Sequence, residues 1–506
     1  MSPAEDSQQA VLDFLGAPQT YGGAAVKRID THAASVFLAG ERALKIKRAV
    51  RFPVLDYSTL AKRKAACEAE LEVNHPYAPE IYRRVVPITR EAKGLAIGGG
   101  GEAVEWAVEM RRFDETQTLD HLAERGALDA ALADALGRAV ARAHAAAPLA
   151  ADFDFVAELG KIIGQNDAEL RETPELFAPA AVASLARDAQ NALARVKPLI
   201  AARERNGFVR RCHGDLHLGN IVLIGGKPAL FDAIEFDPKI ASGDVLYDLA
   251  FLLMDLVERG LSNLANAVFN RYLNETRRDE TLDALAALPL YLSLRATIRA
   301  KVAAEKLKQG DASVAQSARD YFALAEAFLK PVAPRLLAVG GLSGTGKSLL
   351  ARDLAPLIAP APGAVWLRSD VERKTLFGAS ETERLPQSAY SAEATARVYA
   401  SLAAKARRII AAGHSAVVDA VFADPAERAA IEQTSRGAFH GLFLTASLAT
   451  RLARVGGRRG DASDADAEIA RRQQHYDLGV MKWTEVDASG SPADTLRRAK
   501  ETLGLP

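Results

Sequence analysis

Two stretches of this chain carry residue types at spacings that can do chemistry. The first is His213-Gly214-Asp215-Leu216-His217-Leu218-Gly219-Asn220, followed by an apolar strand over 221–224, a Gly225-Gly226 turn and a second strand over 229–231 that ends in Asp232. Strands joined by a tight turn bring Asn220 and Asp232 to the same end of a hairpin, beside Asp215. Oxygen ligands gathered in this way suit a hard cation such as magnesium, and a further carboxylate stands next to them, which is the composition of a phosphoryl-transfer site. The second stretch, Gly341-Leu342-Ser343-Gly344-Thr345-Gly346-Lys347-Ser348, satisfies G-x-x-x-x-G-K-[ST] between an apolar strand and a helical run. Its glycines let backbone N–H groups close around phosphate oxygens, and the helix N-terminus adds positive potential. Gly341, Gly344, Gly346, Lys347 and Ser348 are therefore expected to bind a nucleotide. Lys347 also acts in catalysis by reaching the β and γ phosphates, and Ser348 ligates magnesium.

Downstream, Arg368-Ser369-Asp370 follows a strand and Asp419 ends another, where α/β sheets place ligand groups. Both carboxylates are expected at the magnesium or acceptor site, with Asp370 as a metal ligand. In Arg451-Leu452-Ala453-Arg454-Val455-Gly456-Gly457-Arg458-Arg459, cations bracket two glycines. A mobile lid has this character, with Arg454 and Arg458 brought to a transferring phosphoryl group. The acidic run Asp461, Asp464, Asp466, Glu468 lacks the glycine and end spacing of a calcium loop, and Ser463-x-x-Asp466 reads instead as a capping box opening a helix.

The elements that must position these groups follow from periodicity. Alternating apolar residues over 35–54 around Gly40-Glu41 predict a hairpin. From Ser58, Leu60, Cys67 and Leu71 fall near helical spacing until His75-Pro76, and strands follow at 83–89 and 103–110. After Phe113 come Ala- and Leu-rich helical periods, through about residue 145 and over 179–205 and 250–329. Lys330-Pro331-Val332-Ala333-Pro334 breaks the last helix and sets a domain boundary, giving domains 1–331 and 332–506. Beyond it, short apolar strands at 336–339, 364–367, 415–418 and 441–444 alternate with helices, a βαβ rhythm that implies a parallel sheet.

With Asp215, Asn220 and Asp232 spaced as in H-R-D-x-x-x-x-N and D-F-G, residues of about 20–300 resemble the aminoglycoside phosphotransferases and their small-molecule kinase relatives. The resemblance implies that Asp215 is the base or orienter of the acceptor hydroxyl, that Asn220 and Asp232 hold magnesium, and that His213 is structural. It also implies a lysine–glutamate pair, Lys45 with Glu70, for the α and β phosphates, with Lys47 and Glu68 as rivals, and a hinge over Glu109–Phe113 in which Met110 meets ATP. Gly214 replaces the kinase arginine, Phe231-Asp232-Ala233 replaces D-F-G, and Thr31–Val36 lacks the glycine-rich loop. Asp244 and Asp248 match a segment that buttresses the site. The second half, about 336–500, resembles P-loop small-molecule kinases through Gly341–Ser348, Arg368-Ser369-Asp370 with Arg373, and the Arg454/Arg458 lid. As a whole the chain resembles bacterial fusions of the two. The implied fold is α/β and α+β, a bilobal protein-kinase-like fold followed by a P-loop NTPase parallel-sheet domain. The implied activity is ATP- and Mg2+-dependent phosphoryl transfer at two nucleotide sites to small-molecule hydroxyl acceptors. Other readings are one catalytic half with an ATP-sensing half, or a nucleotide-driven switch on a partner protein.

Composition bounds the remaining classes. A chain of 506 residues, 49% hydrophobic and 25% charged, is globular with about two to four domains, which excludes disorder, collagen and coiled coil. Lys plus Arg and Asp plus Glu balance at 64 each, so no global field draws nucleic acid or an anionic membrane. The two cysteines, Cys67 and Cys212, cannot build a disulfide framework or a multi-thiolate metal site. Residues 1–10 lack a secretory pattern, and the most apolar stretch, 245–257, is interrupted by Asp248 and Asp255, so a cytoplasmic protein with neither membrane nor nucleic-acid partner is expected.

Overall fold

Branched and aromatic residues alternating along 26–47 form three antiparallel strands in the computed structural model: β1 (Val26–Asp30), β2 (Ala34–Ala39) and β3 (Arg42–Lys47). The structure describes residues 3–52, 55–435, 438–457 and 462–505, with side chains from residue 8 onward. They divide into two compact units, residues 1–158 with 201–255, and residues 159–200 with 256–506.

In the first unit, β4 (Arg51–Phe52) and β5 (Leu55–Asp56) form a small pair, while β6 (Tyr82–Glu91), β7 (Gly94–Ile97) and β8 (Glu102–Arg111) extend the main sheet in the order β1-β2-β3-β8-β6-β7. The hairpin about Gly40-Glu41 is β2–β3. The edge strand β7 was not anticipated. Strand parity gives the sheet its two faces. Leu44 and Ile46 join Val11 and Leu15 on one face, and Ala43 joins Cys67 on the other. Lys45 and Lys47 share Ala43's parity and meet the same helix, Leu60–Asn74, which is capped by Thr59 accepting from the Lys62 N–H. The buried residues of that helix, Arg63, Cys67, Glu70 and Asn74, recur at helical spacing on one face, and three of the four are polar.

The chain then forms β9 (Val209–Arg211), the hairpin β10 (Ile221–Ile224) and β11 (Lys227–Leu230), and β12 (Ser242–Asp244), which pairs with β9. Helix Val245–Glu258 begins five residues before the expected 250 and buries nearly its whole circumference, which accounts for its apolarity. Among the described residues, no helix is long and apolar enough to cross a membrane.

The second unit holds a parallel sheet of β13 (Arg335–Gly341), β14 (Val365–Arg368), β15 (Ala416–Asp419), β16 (Ala438–Thr445) and β17 (Thr484–Asp487), ordered β14-β15-β13-β16-β17. Four of these were expected. In β17 only Val486 is buried, so its apolar signal is weak. The core joins Leu337 and Val339 to Leu350, Leu354, Val417, Leu444 and Ala499. The expected cap at Ser463 is corrected: Asp466 is the N-cap of helix Ala467–Gln473, because it directly precedes the first helical residue and its carboxylate there accepts from the Glu468 and Ile469 N–H groups.

This unit also contains the helices of 256–329. Strand β14 is a sheet edge, whose backbone groups need other partners. Helix Ser262–Thr276 supplies them: the Asn266 and Asn270 amides donate to the Ala364 carbonyl at 3.0 and 3.2 Å, and the Trp366 N–H donates to Asn270 Oδ1 at 2.6 Å. Arg408 reinforces this side by pairing with Asp283 at 2.7 Å. Asn270→Leu leaves the part-buried Trp366 backbone N–H without its acceptor, so it is expected to cost about 1–3 kcal/mol in urea denaturation. Asn266→Leu, which leaves Trp366 its acceptor, is expected to cost less.

Candidate active sites

The first site grows from Glu70, a fully buried carboxylate on the polar face of helix Leu60–Asn74. Its Oε1 lies 2.8 Å from Lys45 Nζ and its Oε2 lies 2.7 Å from Lys47 Nζ, so both rival lysines share one carboxylate. Glu68 instead faces Lys64 on the exposed side. Burial pushes the Glu70 carboxyl up, but the two ammonium groups outweigh it and hold the pKa at about 2. Lys45 Nζ also lies 2.7 Å from Asp232 Oδ1. Burial alone would lower the pKa of Lys45, yet Asp232 and Glu70 keep it well above the usual lysine value.

Asp232 follows β11 with φ 59°, a conformation that needs outside support. Its N–H donates to Tyr82 Oη at 3.1 Å, and Asn74 pairs with both backbone groups of Ala233, at 2.7 and 3.2 Å. Val36, Leu38, Ala43, Met110 and Phe231 line an apolar slot of about 190 Å³ whose wall includes Lys45 and Asp232. Met110 is thus in the slot, opposite Ala43 in the β3–β8 register. In the expected hinge, Arg111 and Arg112 donate their N–H groups to the Ile81 and Glu41 carbonyls, and Glu109 is gripped by Arg42 and Arg84.

Asp215 and Asn220 are brought together: Asn220 Nδ2 donates to the Asp215 carbonyl and to its Oδ2, both at 3.0 Å. The amide nitrogen is committed, which leaves Oδ1 as the oxygen Asn220 can offer, and such oxygens on Asn220 and Asp232 are of the kind that fits a magnesium ion. The Gly219 N–H donates to His217 Nδ1, placing the His217 proton on Nε2, which lies 3.4 Å from Asp215 Oδ2. His213 is structural, as expected. Burial lowers its pKa, and its Nε2–H donates to the Phe231 carbonyl at 2.9 Å. Gly214 has φ 83°, and a Cβ there would lie 3.1 Å from Ala241 Cα, which explains the missing arginine.

The loop backbone is held from helix Val245–Glu258. Asp248 accepts from the His213 and Gly214 N–H groups at 3.3 and 2.8 Å and meets His144 Nε2 at 3.0 Å, and Asp255 accepts from the Leu218 N–H at 2.9 Å. Asp244 pairs with buried Arg203. Sequence reasoning missed Asn74, Tyr82, His217 and Asp255. For Asn74 and Asp255 the signal available was a polar residue at helical spacing on an otherwise buried face.

In the second unit, helix Lys347–Leu354 starts at Gly346, with φ 95°. Gly344 leaves no room for a side chain, since a Cβ would lie 2.5 Å from the Arg451 carbonyl. Ser348 hydrogen-bonds Asp419, whose pKa burial raises against the pull of Lys347 and Arg368. Lys347, Ser348, Asp370, Arg373, Asp419 and Arg472 line one cavity of about 710 Å³. A hydroxyl beside carboxylates and an ammonium at a helix N-terminus fits a magnesium-bound phosphate chain. Asp419, named with Asp370 from the sequence, lines this cavity beside it, and Arg472 is an addition that the sequence did not single out. Arg454 is not in this cavity: it donates to the Thr345 and Gly490 carbonyls and lines a separate cavity of about 280 Å³ with Gly344, Gly346 and Pro492. Arg458 lies outside the described residues.

Comparisons with known proteins agree with the two motifs. The model of the phosphotransferase enzyme family matches residues 63–288, and that of the AAA domain matches residues 336–477. An uncharacterized protein of Mycobacterium tuberculosis (strain H37Rv) is 30% identical over 465 residues, covering 89% of this chain and 90% of the relative, and one from Mycobacterium bovis matches to the same extent. Similar solved structures include a choline/ethanolamine kinase family protein from Mesorhizobium loti, at 18% identity and TM-score 0.41 over 64% of this chain and 95% of that one. They also include a gluconokinase from Sinorhizobium meliloti, at 20% identity and TM-score 0.26 over 34% of this chain and 93% of that one. The chain therefore belongs to the family of these mycobacterial relatives, a kinase in which a phosphotransferase-family domain is fused to a P-loop kinase-like domain.

Proposed function

We propose that this kinase is cytoplasmic and uses ATP and magnesium at two sites, one in each of the domains 1–331 and 332–506, to phosphorylate hydroxyl groups of small molecules. The observation that carries the reading is the convergence of Lys45, Glu70 and Asp232 within 2.8 Å ion-pair distances beside an apolar slot, with Asn220 committed to Asp215. In the first site, Glu70 holds Lys45 toward the α and β phosphates, and the slot containing Met110 takes the base. Asn220 Oδ1 and Asp232 hold magnesium, which supplies charge neutralisation to the phosphates when bound. Asp215 orients the acceptor hydroxyl and takes its proton as that oxygen bonds to the γ-phosphorus and the bond from this phosphorus to the bridging oxygen breaks, releasing ADP.

In the second site, the P-loop N–H groups and Lys347 hold the β and γ phosphates, and Ser348 and Asp370 serve the metal with Asp419 beside them. Arg454 and Arg458 act as lid cations. Arg373 and Arg472, which line the same cavity as Lys347, add positive charge on the acceptor side.

Asp215→Asn is expected to lower turnover at the first site by about 10²–10⁴-fold while leaving ATP affinity within a few-fold, measured by labelled-ATP transfer to pooled metabolites and by calorimetry. Lost ATP binding with retained turnover refutes the assignment. Lys347→Ala in the full chain should reduce ATP stoichiometry from two to one, and a stoichiometry of one before mutation refutes independent sites. ADP release that ignores every pooled acceptor would replace this reading with the sensor or switch.

A further inference from the structure

Lys47 is a second lysine where the paired lysine–glutamate arrangement uses one. It is 2% exposed, and a buried ammonium requires anionic partners. One is Glu70 Oε2, at 2.7 Å, and the other is Glu235 Oε1, which hydrogen-bonds the same ammonium. Tyr57 Oη donates to that Glu235 oxygen at 3.3 Å, and the Tyr57 ring centroid lies 5.5 Å from Lys47 Nζ. The Lys47 carbonyl is fixed by Gln8, whose amide also donates to Glu105, the partner of Arg63 on the helix that carries Glu70.

Glu235 lies three residues beyond Asp232. Strand β3 therefore holds the segment 232–235 twice, at its start through Lys45 and at its end through Lys47. The Ile234 N–H donates to the His213 carbonyl at 3.0 Å, which ties the same segment to the catalytic loop. Charge explains why both ends matter. With a metal on Asp232, Lys45 retains Glu70 and Lys47 retains Glu235. With Glu235 neutral, Glu70 is the remaining carboxylate for both lysines and is drawn toward Lys47, while the far end of the metal-bearing segment loses its anchor.

We propose that Lys47 and Glu235 are positioning residues of the first nucleotide site, a buried clamp that sets the Asp232 segment for magnesium and keeps Glu70 available to Lys45. The proposal rests on the reading of Asp232 as a metal ligand.

The test is calorimetric binding of ATP to the full chain carrying Lys347→Ala, titrated over magnesium concentration. Glu235→Gln is expected to raise the magnesium concentration for half-maximal ATP binding by about tenfold, and magnesium-free ATP affinity should change by less than about threefold. Lys47→Arg, which keeps the cation, should restore most of the loss seen in Lys47→Met. A folded Glu235→Gln protein with an unchanged magnesium midpoint overturns the clamp. If that variant does not fold, Tyr57→Phe decides: a midpoint raised about two- to threefold supports the clamp, and an unmoved midpoint refutes it. Asp232→Ala separates the two levels. If it leaves magnesium dependence intact, the site reading fails and the clamp with it. If it abolishes that dependence while Glu235→Gln does nothing, the clamp alone fails.

Discussion

A carboxylate without water around it stays ionised only if cations or hydrogen-bond donors replace the water, and at Glu70 the first unit meets that condition with cations. Two ammonium groups within 2.8 Å outweigh its desolvation. That single requirement dictates much of the surrounding structure. Both lysines must lie on one face of β3, which strand parity allows because they are two residues apart. Helix Leu60–Asn74 must turn Glu70 inward, which carries Arg63 and Asn74 inward with it. Each then needs a partner of its own: Arg63 finds Glu105, and Asn74 finds the backbone of Ala233. The helix is thus oriented by charge and hydrogen bonding as much as by apolar area, and it fixes the residue next to Asp232.

A second constraint concerns backbone. The loop 213–220 is not a strand or an α-helix, so its buried N–H groups need acceptors from elsewhere. Helix Val245–Glu258 provides them from Asp248 and Asp255, which are spaced two helical turns apart and therefore lie on one face. The same two aspartates that interrupt an apolar run in the sequence are what an apolar, buried helix needs in order to sit against the loop 213–220. A buried carboxylate accepting amide protons is stable only while those donors stay in place, so helix and loop hold each other.

The sequence made the local features legible. The P-loop, the hairpin that carries Asp232 and four of five parallel strands follow from contiguous patterns. The pairing of Lys45 with Glu70 was accessible through resemblance, but its sharing with Lys47 was not, because nothing in strand alternation distinguishes two lysines of equal parity. Tyr82 and Asn74 were missed for a related reason. Tyr82 reads as a strand aromatic and Asn74 as a helix end, and their polar tips acquire a purpose only when Asp232 and Ala233 arrive from far along the chain. The β14 edge was read as an ordinary apolar strand, while its completion by Asn266 and Asn270 depends on a helix before the linker.

The two candidate sites differ in how they are encoded, and the difference has a physical cause. The P-loop binds phosphate with consecutive backbone N–H groups, so eight adjoining residues suffice and glycine geometry is its main demand. The side chains proposed for phosphate and metal at the first site come from β3, a helix, a loop and a hairpin end, so each depends on a separate packing contact. The wall of the second cavity around Asp464 is distributed in the same manner. Asp464 accepts from Lys374, the Leu385 N–H and Tyr390 at 2.9, 3.1 and 2.5 Å, joining segments remote from the P-loop, and Arg373 lies over the Tyr390 ring. Phosphate presents the same oxygens whichever molecule receives it, so its binding can be written once in a short motif. An acceptor's shape must be matched by walls drawn from several elements, and the wall around Asp464 is built in that way.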